Sequence, residues 1–282
     1  MKPRTLTVAA VQLNSGIDRD ANLTQSIALV ERAADLGATY VQLPEYFNYL
    51  GPARGYLDAA EPIPGPTTAR MGSLAKRRRI NLHLGSMLEL GSGDHPYNTS
   101  VLIGPTGSIV ATYRKTHLFD VDVPGAVTHR ESDALARGNE LVVARLKRFS
   151  IGLSVCFDVR FPELYRALAA AGADVLAVPA AFNASTGRSH WHVLIRSRAI
   201  ENHAFVVAAA QAGTTDEGIA TYGHAIVVDP WGTIVAESVG DDAQVVTATL
   251  DLDEVNRRRA QIAVMRFRRP TLYRRPVRVI GA

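Results

Sequence analysis

Three residues that can act together in covalent catalysis follow apolar, β-prone stretches of the chain. Cys156 follows the stretch 150–155 and is the only cysteine among 282 residues, so it cannot form an intramolecular disulfide. Glu45 ends the stretch TYVQLPE, and Lys115 follows the strand predicted over 108–113. A thiol nucleophile, a carboxylate base and a fixed ammonium that stabilises an oxyanion are a consistent set for nucleophilic catalysis.

Each of these residues also has a structural interpretation. A free cysteine is often buried without a role, a glutamate after a strand is commonly an exposed loop residue, and a lone lysine is typical of a surface. The functional interpretation requires the strand ends to meet, because open α/β sheets bind ligands at the carboxyl ends of their strands. There we expect the thiol to have a lowered pKa and a pocketed glutamate to have a raised one.

Strands alternate with helices along the chain, which favours a sheet with helices packed on it. The segment 6–13 predicts the first strand, and Asn22 predicts the N-cap of a helix that runs through Leu36. Helical apolar spacing after Phe161 predicts another helix directly behind the cysteine.

Two pairs of segments resemble each other. GATYVQLPEYF begins at Gly37 and GADVLAVPAAF at Gly172, and their matching Gly, Ala, Pro and Phe residues are 135 positions apart. VLIGPTGSIVA and AIVVDPWGTIVA are both typical of β-hairpins, with Pro105 or Pro230 in the turn. Two related halves predict an α/β fold in which two sheets pack face to face with helices outside, an α-β-β-α sandwich with two pseudo-symmetric halves.

The length suits one large globular domain or two small ones, and no linker or low-complexity stretch divides the chain into two. With 47% hydrophobic and 21% charged residues, the chain can bury a full core. We expect the domain to span residues 1–262, and a C-terminal extension, 263–282, to pack on it or on a partner subunit.

The same sequence argues against several classes of partner. The N-terminal apolar run is interrupted before it reaches the length of a signal peptide, and no stretch approaches the roughly 18 to 20 apolar residues of a membrane span. We therefore expect a cytoplasmic protein that does not bind membranes. Arginine clusters lie at helix ends and in the tail without an aromatic-interleaved groove, so we expect no nucleic-acid partner.

With their neighbours, the three residues resemble the nitrilase, or carbon–nitrogen hydrolase, superfamily. The resemblance covers nearly the whole chain in five blocks: LPEYF, YRKTHLFDVDVPG, GLSVCFDVRFPELYR, HWHVLIRSRAIEN and YGHAIVVDPWG. The blocks are most similar to the Nit branch, whose members are amidases of small carboxylate-bearing metabolites, including deaminated glutathione and ω-amides of 2-oxo acids. His192 departs from the Nit pattern, which has glutamate there. The sequence does not decide between the two substrate types.

The resemblance implies a cysteine amidase that converts a small linear carboxylate-bearing amide to an acid and ammonia. Glu45 would take the proton of Cys156, and Lys115 with the backbone N–H of Phe157 would stabilise the tetrahedral oxyanion. A thioester would form, and water activated by the same glutamate would hydrolyse it. The resemblance also implies that Glu131 orients the lysine.

Further side chains are candidates for binding the small-molecule amide, because guanidinium and imidazole groups bind carboxylates. They are Arg160, Arg188, His224 and Tyr49, with Phe182 and Trp191 as candidate lining residues. Arg160 has an alternative role as the partner of Asp158 or Glu163. The histidines show no metal-ligand spacing, so we expect no metal and no other cofactor. Family habit implies a homodimer or a larger homo-oligomer.

Three other functions stay open. An N-carbamoyl amide hydrolase would use the same Glu-Lys-Cys site and release carbon dioxide with ammonia, and a true nitrilase would pass through a thioimidate. Outside enzymes, the alternative is a catalytically silent scaffold or partner-binding member. The intact set of Glu45, Lys115, Glu131 and Cys156 argues against that last alternative.

Overall fold

The computed structural model describes residues 4–91, 93–125 and 127–281. Its helices are α1 (Arg19–Asp35), α2 (Tyr56–Ala59), α3 (Pro66–Arg78), α4 (Pro162–Ala170), α5 (Ala184–Asn202), α6 (Asp253–Gln261), α7 (Val264–Phe267) and α8 (Pro270–Tyr273). Its strands are β1 (Thr5–Leu13), β2 (Tyr40–Gln42), β3 (Asn81–His83), β4 (Met87–Glu89), β5 (Tyr97–Ile103), β6 (Ile109–Arg114), β7 (Asp120–Val123), β8 (Val127–Arg130), β9 (Val143–Arg145), β10 (Ser150–Leu153), β11 (Val175–Ala177), β12 (Phe205–Ala208), β13 (Ala210–Thr214), β14 (Ala220–Tyr222), β15 (Ile226–Val228), β16 (Ile234–Glu237) and β17 (Gln244–Asp251).

The strands form two large sheets and one separate hairpin. The first sheet has the order β14-β13-β1-β2-β3-β5-β4, with β17 beside β1 and β6 beside β5. The second has the order β16-β15-β12-β11-β10-β9, and β7 pairs with β8 alone. Parallel strands lie at the centre of both large sheets, β1 to β3 in one and β10 to β12 in the other. Only Ala209 separates β12 from β13, so the chain passes there from one sheet to the other.

Apolar residues fill the spaces between four layers. Val8 and Ala10 of β1 belong to the core that includes the second sheet, whereas Ala9 and Val11 belong to the core under α1 and α3. β1 is therefore buried on both faces, as expected of a strand with helices on one side and a sheet on the other. Helices α4 and α5 cover the other face of the second sheet. The predicted α-β-β-α sandwich is confirmed.

The predicted repeat appears as matching elements. β2 and β11 are 135 positions apart, and each is a central parallel strand that follows a helix. The hairpins β5–β6 and β15–β16 also match, each with a register shift near the end of its first strand. Their turns contain Gly107 and Gly232 at φ +88° and +86°, a conformation that glycine adopts without steric cost.

The start of α1 differs from the prediction. The Oδ1 atom of Asp18 accepts hydrogen bonds from two backbone N–H groups at 3.0 Å, so the helix begins at Arg19 rather than near Asn22. Asn22 lies inside the helix and is buried, and it donates to the carbonyls of Gly16 and Asn48. Asn22, which the sequence predicted as the cap of the helix, thus holds the loop that precedes the helix.

The C-terminal segment 263–281 forms two short helices, α7 and α8, and then runs without regular structure. Most of its side chains are exposed. In the part of the chain that the structure describes, no helix has both the length and the apolar character needed to cross a membrane.

Candidate active site

The three strand ends that carry the predicted chemistry meet at one cavity of about 380 Å³. β2 and β6 run in the same direction in the first sheet, so Glu45 and Lys115 lie at the same edge. β10 of the second sheet brings Cys156 to them. β2 is shorter than predicted and ends at Gln42, so the glutamate lies in a turn beyond the strand.

The ammonium of Lys115 lies between two carboxylates. Its Nζ atom donates to Oε1 of Glu45 at 2.9 Å, and to Oε2 and Oε1 of Glu131 at 2.9 and 3.0 Å. At most 3% of each of these three side chains is exposed. The structural interpretations of Lys115 as a surface residue and of Glu45 as an exposed loop residue therefore do not describe this protein.

Both halves of the fold hold the carboxylate of Glu45. Asn98 on β5 donates its side-chain amide to Oε1 at 2.8 Å, and the backbone N–H of Ala181 donates to Oε2 at 2.8 Å. Ala181 lies 135 positions after Tyr46, so in the repeat it corresponds to the residue that follows the glutamate. These donors leave the carboxylate little freedom to rotate.

Glu131 has its own fixed donors. The backbone N–H of Phe119 lies 2.6 Å from Oε2, and the hydroxyl of Tyr46 donates to Oε1 at 2.8 Å. The carboxylate also accepts from Lys115, so it connects the lysine to two neighbouring loops. This geometry suits a residue that positions the lysine.

Cys156 begins a short 3₁₀ turn with φ +46°, in the left-handed region. That conformation costs a non-glycine residue about 1–2 kcal/mol, and such strain is found at functional sites. Its backbone N–H donates to the carbonyl of Pro179 at 2.8 Å, which fixes the turn against the strand end of β11. The side chain is 7% exposed and lines the cavity.

The electrostatics of the site differ from the expectation for the thiol. Burial raises the pKa of Cys156 well above its usual value, and the charge of Glu45 raises it further, although Lys115 opposes both. The predicted lowered pKa is therefore wrong, because the thiol is buried next to a carboxylate. The resting thiol is protonated at neutral pH and needs a base before it can attack.

The lysine is affected in the opposite sense. Burial lowers the pKa of Lys115, but the charges of Glu131 and Glu45 outweigh burial and hold that pKa well above its usual value. Burial likewise raises the pKa of Glu131, yet the lysine and the hydrogen bonds hold it below its usual value. The site thus contains a permanent ammonium next to a protonated thiol.

Comparison with known proteins places this arrangement in a family. The family model described as carbon-nitrogen hydrolase matches residues 7–260. The chain belongs to the carbon–nitrogen hydrolase family. It is a hydrolase that acts on carbon–nitrogen bonds, as the sequence predicted, and the resemblance to the Nit branch is confirmed.

Individual relatives of this carbon–nitrogen hydrolase include two named amidases. The chain is 40% identical to the deaminated glutathione amidase of Mus musculus, over 96% of this chain and 88% of that protein. It is 38% identical to the omega-amidase NIT2 of Homo sapiens, over 94% of this chain and 96% of that protein.

Among solved structures, a glutamate-to-glutamine variant of the amidase from Nesterenkonia sp. AN1 superposes with a TM-score of 0.80. It is 25% identical and covers 95% of each chain. That structure shows the acetamide moiety of fluoroacetamide added covalently at its active site cysteine.

In this carbon–nitrogen hydrolase, Asp158 connects the loop of the cysteine to the loop of the lysine. The buried carboxylate accepts hydrogen bonds from the backbone N–H of Val155 and the hydroxyl of Tyr113, both at 2.8 Å, and lies 2.7 Å from Nδ1 of His117. Asp158 therefore fixes the two loops relative to each other. It does not pair with Arg160, which was one of the two structural roles expected for that arginine.

Phe157, expected to supply an oxyanion N–H, lines the cavity together with Arg160 and Phe182, which were expected at the substrate site. The guanidinium carbon of Arg160 lies 5.1 Å from the ring centre of Phe182 and 5.8 Å from that of Phe157. Nη1 of this arginine also lies 3.3 Å from Nδ1 of His190. The arginine is half-buried at the cavity wall.

The other candidate binding residues lie elsewhere. Arg188 is exposed on α5, and Tyr49 is buried beside a neighbouring cavity that Asp58 and Glu217 also line. His224 contacts Glu237 outside the cavity, and Trp191 is buried in the core. Spacing along the chain does not show whether such a side chain enters the cavity, the core or the solvent.

Several residues at or beside the cavity were not found from the sequence. Asn98 carried a signal, since a polar residue on a fully buried strand needs a partner, and that partner is Glu45. Tyr46 was adjacent to the glutamate in the sequence. His129 on β8 and Thr221 on β14 also line the cavity, and nothing in their local sequence indicated it.

Proposed function

We propose that this carbon–nitrogen hydrolase is an amidase that converts a small carboxylate-bearing amide to an acid and ammonia through a thioester on Cys156. The observation that carries the proposal is the buried ammonium of Lys115 between Glu45 and Glu131, at the cavity that the thiol lines. A carboxylate base and a fixed cation beside a protonated thiol provide both the proton transfer and the charge stabilisation that acyl transfer needs.

In the first half of the reaction, Glu45 takes the thiol proton as the sulfur attacks the amide carbonyl. The C–S bond forms, and the carbonyl electron pair becomes an oxyanion stabilised by Lys115 and by the backbone N–H of Phe157. When the oxyanion collapses, the C–N bond breaks and Glu45 returns the proton to nitrogen. Ammonia leaves and a thioester remains on Cys156.

In the second half, Glu45 takes a proton from water as the water oxygen attacks the thioester. The C–S bond then breaks, the proton returns to the sulfur of Cys156, and the acid leaves. Glu131 stays ionised throughout and holds Lys115 in place for both oxyanions. Every step uses groups that already lie at the cavity.

The carboxylate of the substrate is proposed to bind Arg160. This arginine lines the cavity, and among the residues that the structure describes no carboxylate lies within salt-bridge distance of its guanidinium. A half-buried guanidinium with aromatic neighbours is suited to bidentate binding of a carboxylate. Both named relatives, a deaminated glutathione amidase and an omega-amidase, support a substrate of this class.

The test is ammonia release from deaminated glutathione, 2-oxoglutaramate, an N-carbamoyl amino acid, a simple nitrile and a neutral aliphatic amide. We expect release from at least one of the first two. Arg160→Met should lower kcat/KM for that substrate by roughly 10- to 150-fold, the effect of losing a charge-assisted hydrogen bond, and leave the neutral amide nearly unchanged.

Arg145→Met removes an exposed arginine of β9 and serves as the matched control. Preference for the nitrile or the N-carbamoyl substrate would contradict the proposed substrate class. An equal loss for charged and neutral amides in Arg160→Met would contradict the role of Arg160, and a loss in Arg188→Met instead would assign recognition to that side chain.

We also propose that residues 1–262 form the catalytic domain and that the following segment packs on a second copy of the chain in a homodimer or larger homo-oligomer. The segment exposes Phe267, Val277, Val279 and Ile280. Apolar residues exposed together mark interaction surfaces. Light scattering after size-exclusion chromatography should give at least twice the mass of one chain, and a lower mass after truncation at Ile262. A monomeric full chain would contradict this.

A cytoplasmic location is proposed on chemical grounds. The reaction needs Cys156 as a free thiol, and the reducing cytosol keeps thiols free. Fractionation of the source cells, followed by an ammonia-release assay, tests it; activity confined to the secreted fraction would contradict it.

A further inference from the structure

A second group of ligating side chains lies outside the catalytic cavity. Nε2 of His192 and Nδ1 of His224 each lie 2.7 Å from Oε1 of Glu237. The three potential ligand atoms all lie within 4.8 Å of one another. The residues come from α5, from the loop after β14 and from the end of β16, so the fold brings together residues that are 32 and 13 positions apart in the chain.

Two imidazoles and one carboxylate are a ligand set that Zn²⁺ uses with water in the fourth position. Tetrahedral Zn²⁺ holds such ligands at about 2.0–2.2 Å, which separates the ligand atoms by about 3.4 Å. The carboxylate oxygen of Glu237 therefore needs to move less than about 1 Å from each imidazole nitrogen, and the two nitrogens, which lie within 4.8 Å of each other, need to approach by at most about 1.4 Å. The two imidazole side chains are each 29% exposed and the Glu237 side chain is 26% exposed, so solvent and ions reach the group.

The surrounding residues hold the ligands in place. The indole N–H of Trp191 donates to the backbone carbonyl of His224 at 2.9 Å, and the ring of Tyr222 stacks on the imidazole of His224 with centres 4.5 Å apart. The rings of His192 and His224 are nearly perpendicular, with centres 5.1 Å apart. These contacts hold the backbone of His224 and the orientation of its imidazole.

We propose that His192, His224 and Glu237 form a binding site for Zn²⁺ or a similar divalent transition metal. No spacing along the chain indicated this site, because each ligand lies on a different element. The proposal departs from the expectation of no metal, and it assigns to His224 a role other than substrate binding. It does not depend on the proposed amidase function.

The position of the site indicates what a bound ion would do. Thr221 of β14 lines the catalytic cavity, and the adjacent Tyr222 stacks on His224. Thr186, which also lines the cavity, lies on the same helix as His192. A metal ion would therefore connect α5 to two hairpins of the fold and stiffen one wall of the cavity, without contacting the reacting atoms.

Metal binding is tested in a Cys156→Ala background, so that the catalytic thiol cannot act as a ligand. Equilibrium dialysis with Zn²⁺ should show one tightly bound ion per chain, and Co²⁺ at the same site should show the visible absorption of a tetrahedral complex. His192→Gln and Glu237→Gln should each weaken Zn²⁺ binding about tenfold or more and remove the Co²⁺ absorption.

His95→Gln is the matched control, because His95 lies in an exposed loop far along the chain from all three ligands. It should bind Zn²⁺ as its parent does. Zn²⁺ should also raise the unfolding temperature of the Cys156→Ala parent and not that of the two ligand variants. A cooperative unfolding transition of each variant without metal shows that the variant is folded. Absence of saturable Zn²⁺ binding, or unchanged affinity in both ligand variants, would overturn the proposal.

Discussion

Replacing Cys156 with alanine is expected to lower the rate of ammonia release by about 10⁴-fold or more. The thiol is the nucleophile of the proposed mechanism, and Glu45 and Lys115 assist the formation and the hydrolysis of the thioester on it. Without the sulfur no thioester can form, so the remaining groups have only a poorly positioned water to activate. The measurement is steady-state ammonia release with the best substrate of the panel.

Cys156→Ser tests whether the loss is chemical rather than structural. Serine keeps the size and a hydrogen-bonding group at the left-handed position of the turn, but its hydroxyl is a far weaker nucleophile than a thiol. We expect this variant to be almost as inactive as the alanine variant, with the unfolding temperature of both close to that of the parent. If alanine at this position keeps more than about a tenth of the activity, Cys156 is not the nucleophile.

Much of the site could be predicted because the chemistry lies at strand ends. Glu45, Lys115 and Cys156 each follow an apolar stretch, and the period of such stretches is readable without a structure. The repeat of 135 positions was also readable, and it correctly indicated two sheets. These features depend on local sequence, which is why they could be found.

The remaining features of the site depend on where each side chain points and what it faces, which the local sequence does not show. Arg188 and Arg160 are similar candidates in the sequence, yet only Arg160 lines the cavity. The pKa of Cys156 was predicted with the wrong sign, because the prediction considered the position of the thiol at a strand end and not its burial beside Glu45. The donor from Ala181 likewise arises only when the two halves face each other.

Replacing Glu45 with glutamine is expected to lower both the rate of hydrolysis and the pKa of the Cys156 thiol. Hydrolysis should fall by about 10²- to 10⁴-fold, because the general base of both half-reactions is lost. The pKa of Cys156 should fall, because a negative charge that destabilises the thiolate is removed while the opposing charge of Lys115 stays. The variant is therefore a poorer enzyme with a more acidic nucleophile.

The pH dependence of alkylation measures this directly, because Cys156 is the only cysteine and every alkylated thiol reports on it. In Glu45→Gln the inflection should move to lower pH than in the parent.

Glu131→Gln is the comparison that gives the shift its meaning. This variant also removes one carboxylate charge that contacts Lys115. However, Glu131 raises the pKa of the thiol less than Glu45 does. Its alkylation inflection should therefore move less, and the change in hydrolysis should arise from a displaced lysine.

If both glutamine variants moved the inflection equally, or if Glu45→Gln moved it to higher pH, the thiol would not sense Glu45 as its nearest charge. The assignment of Glu45 as the base would then be wrong, whatever the loss of activity, because a base that accepts the thiol proton must also be the charge that most strongly opposes the thiolate.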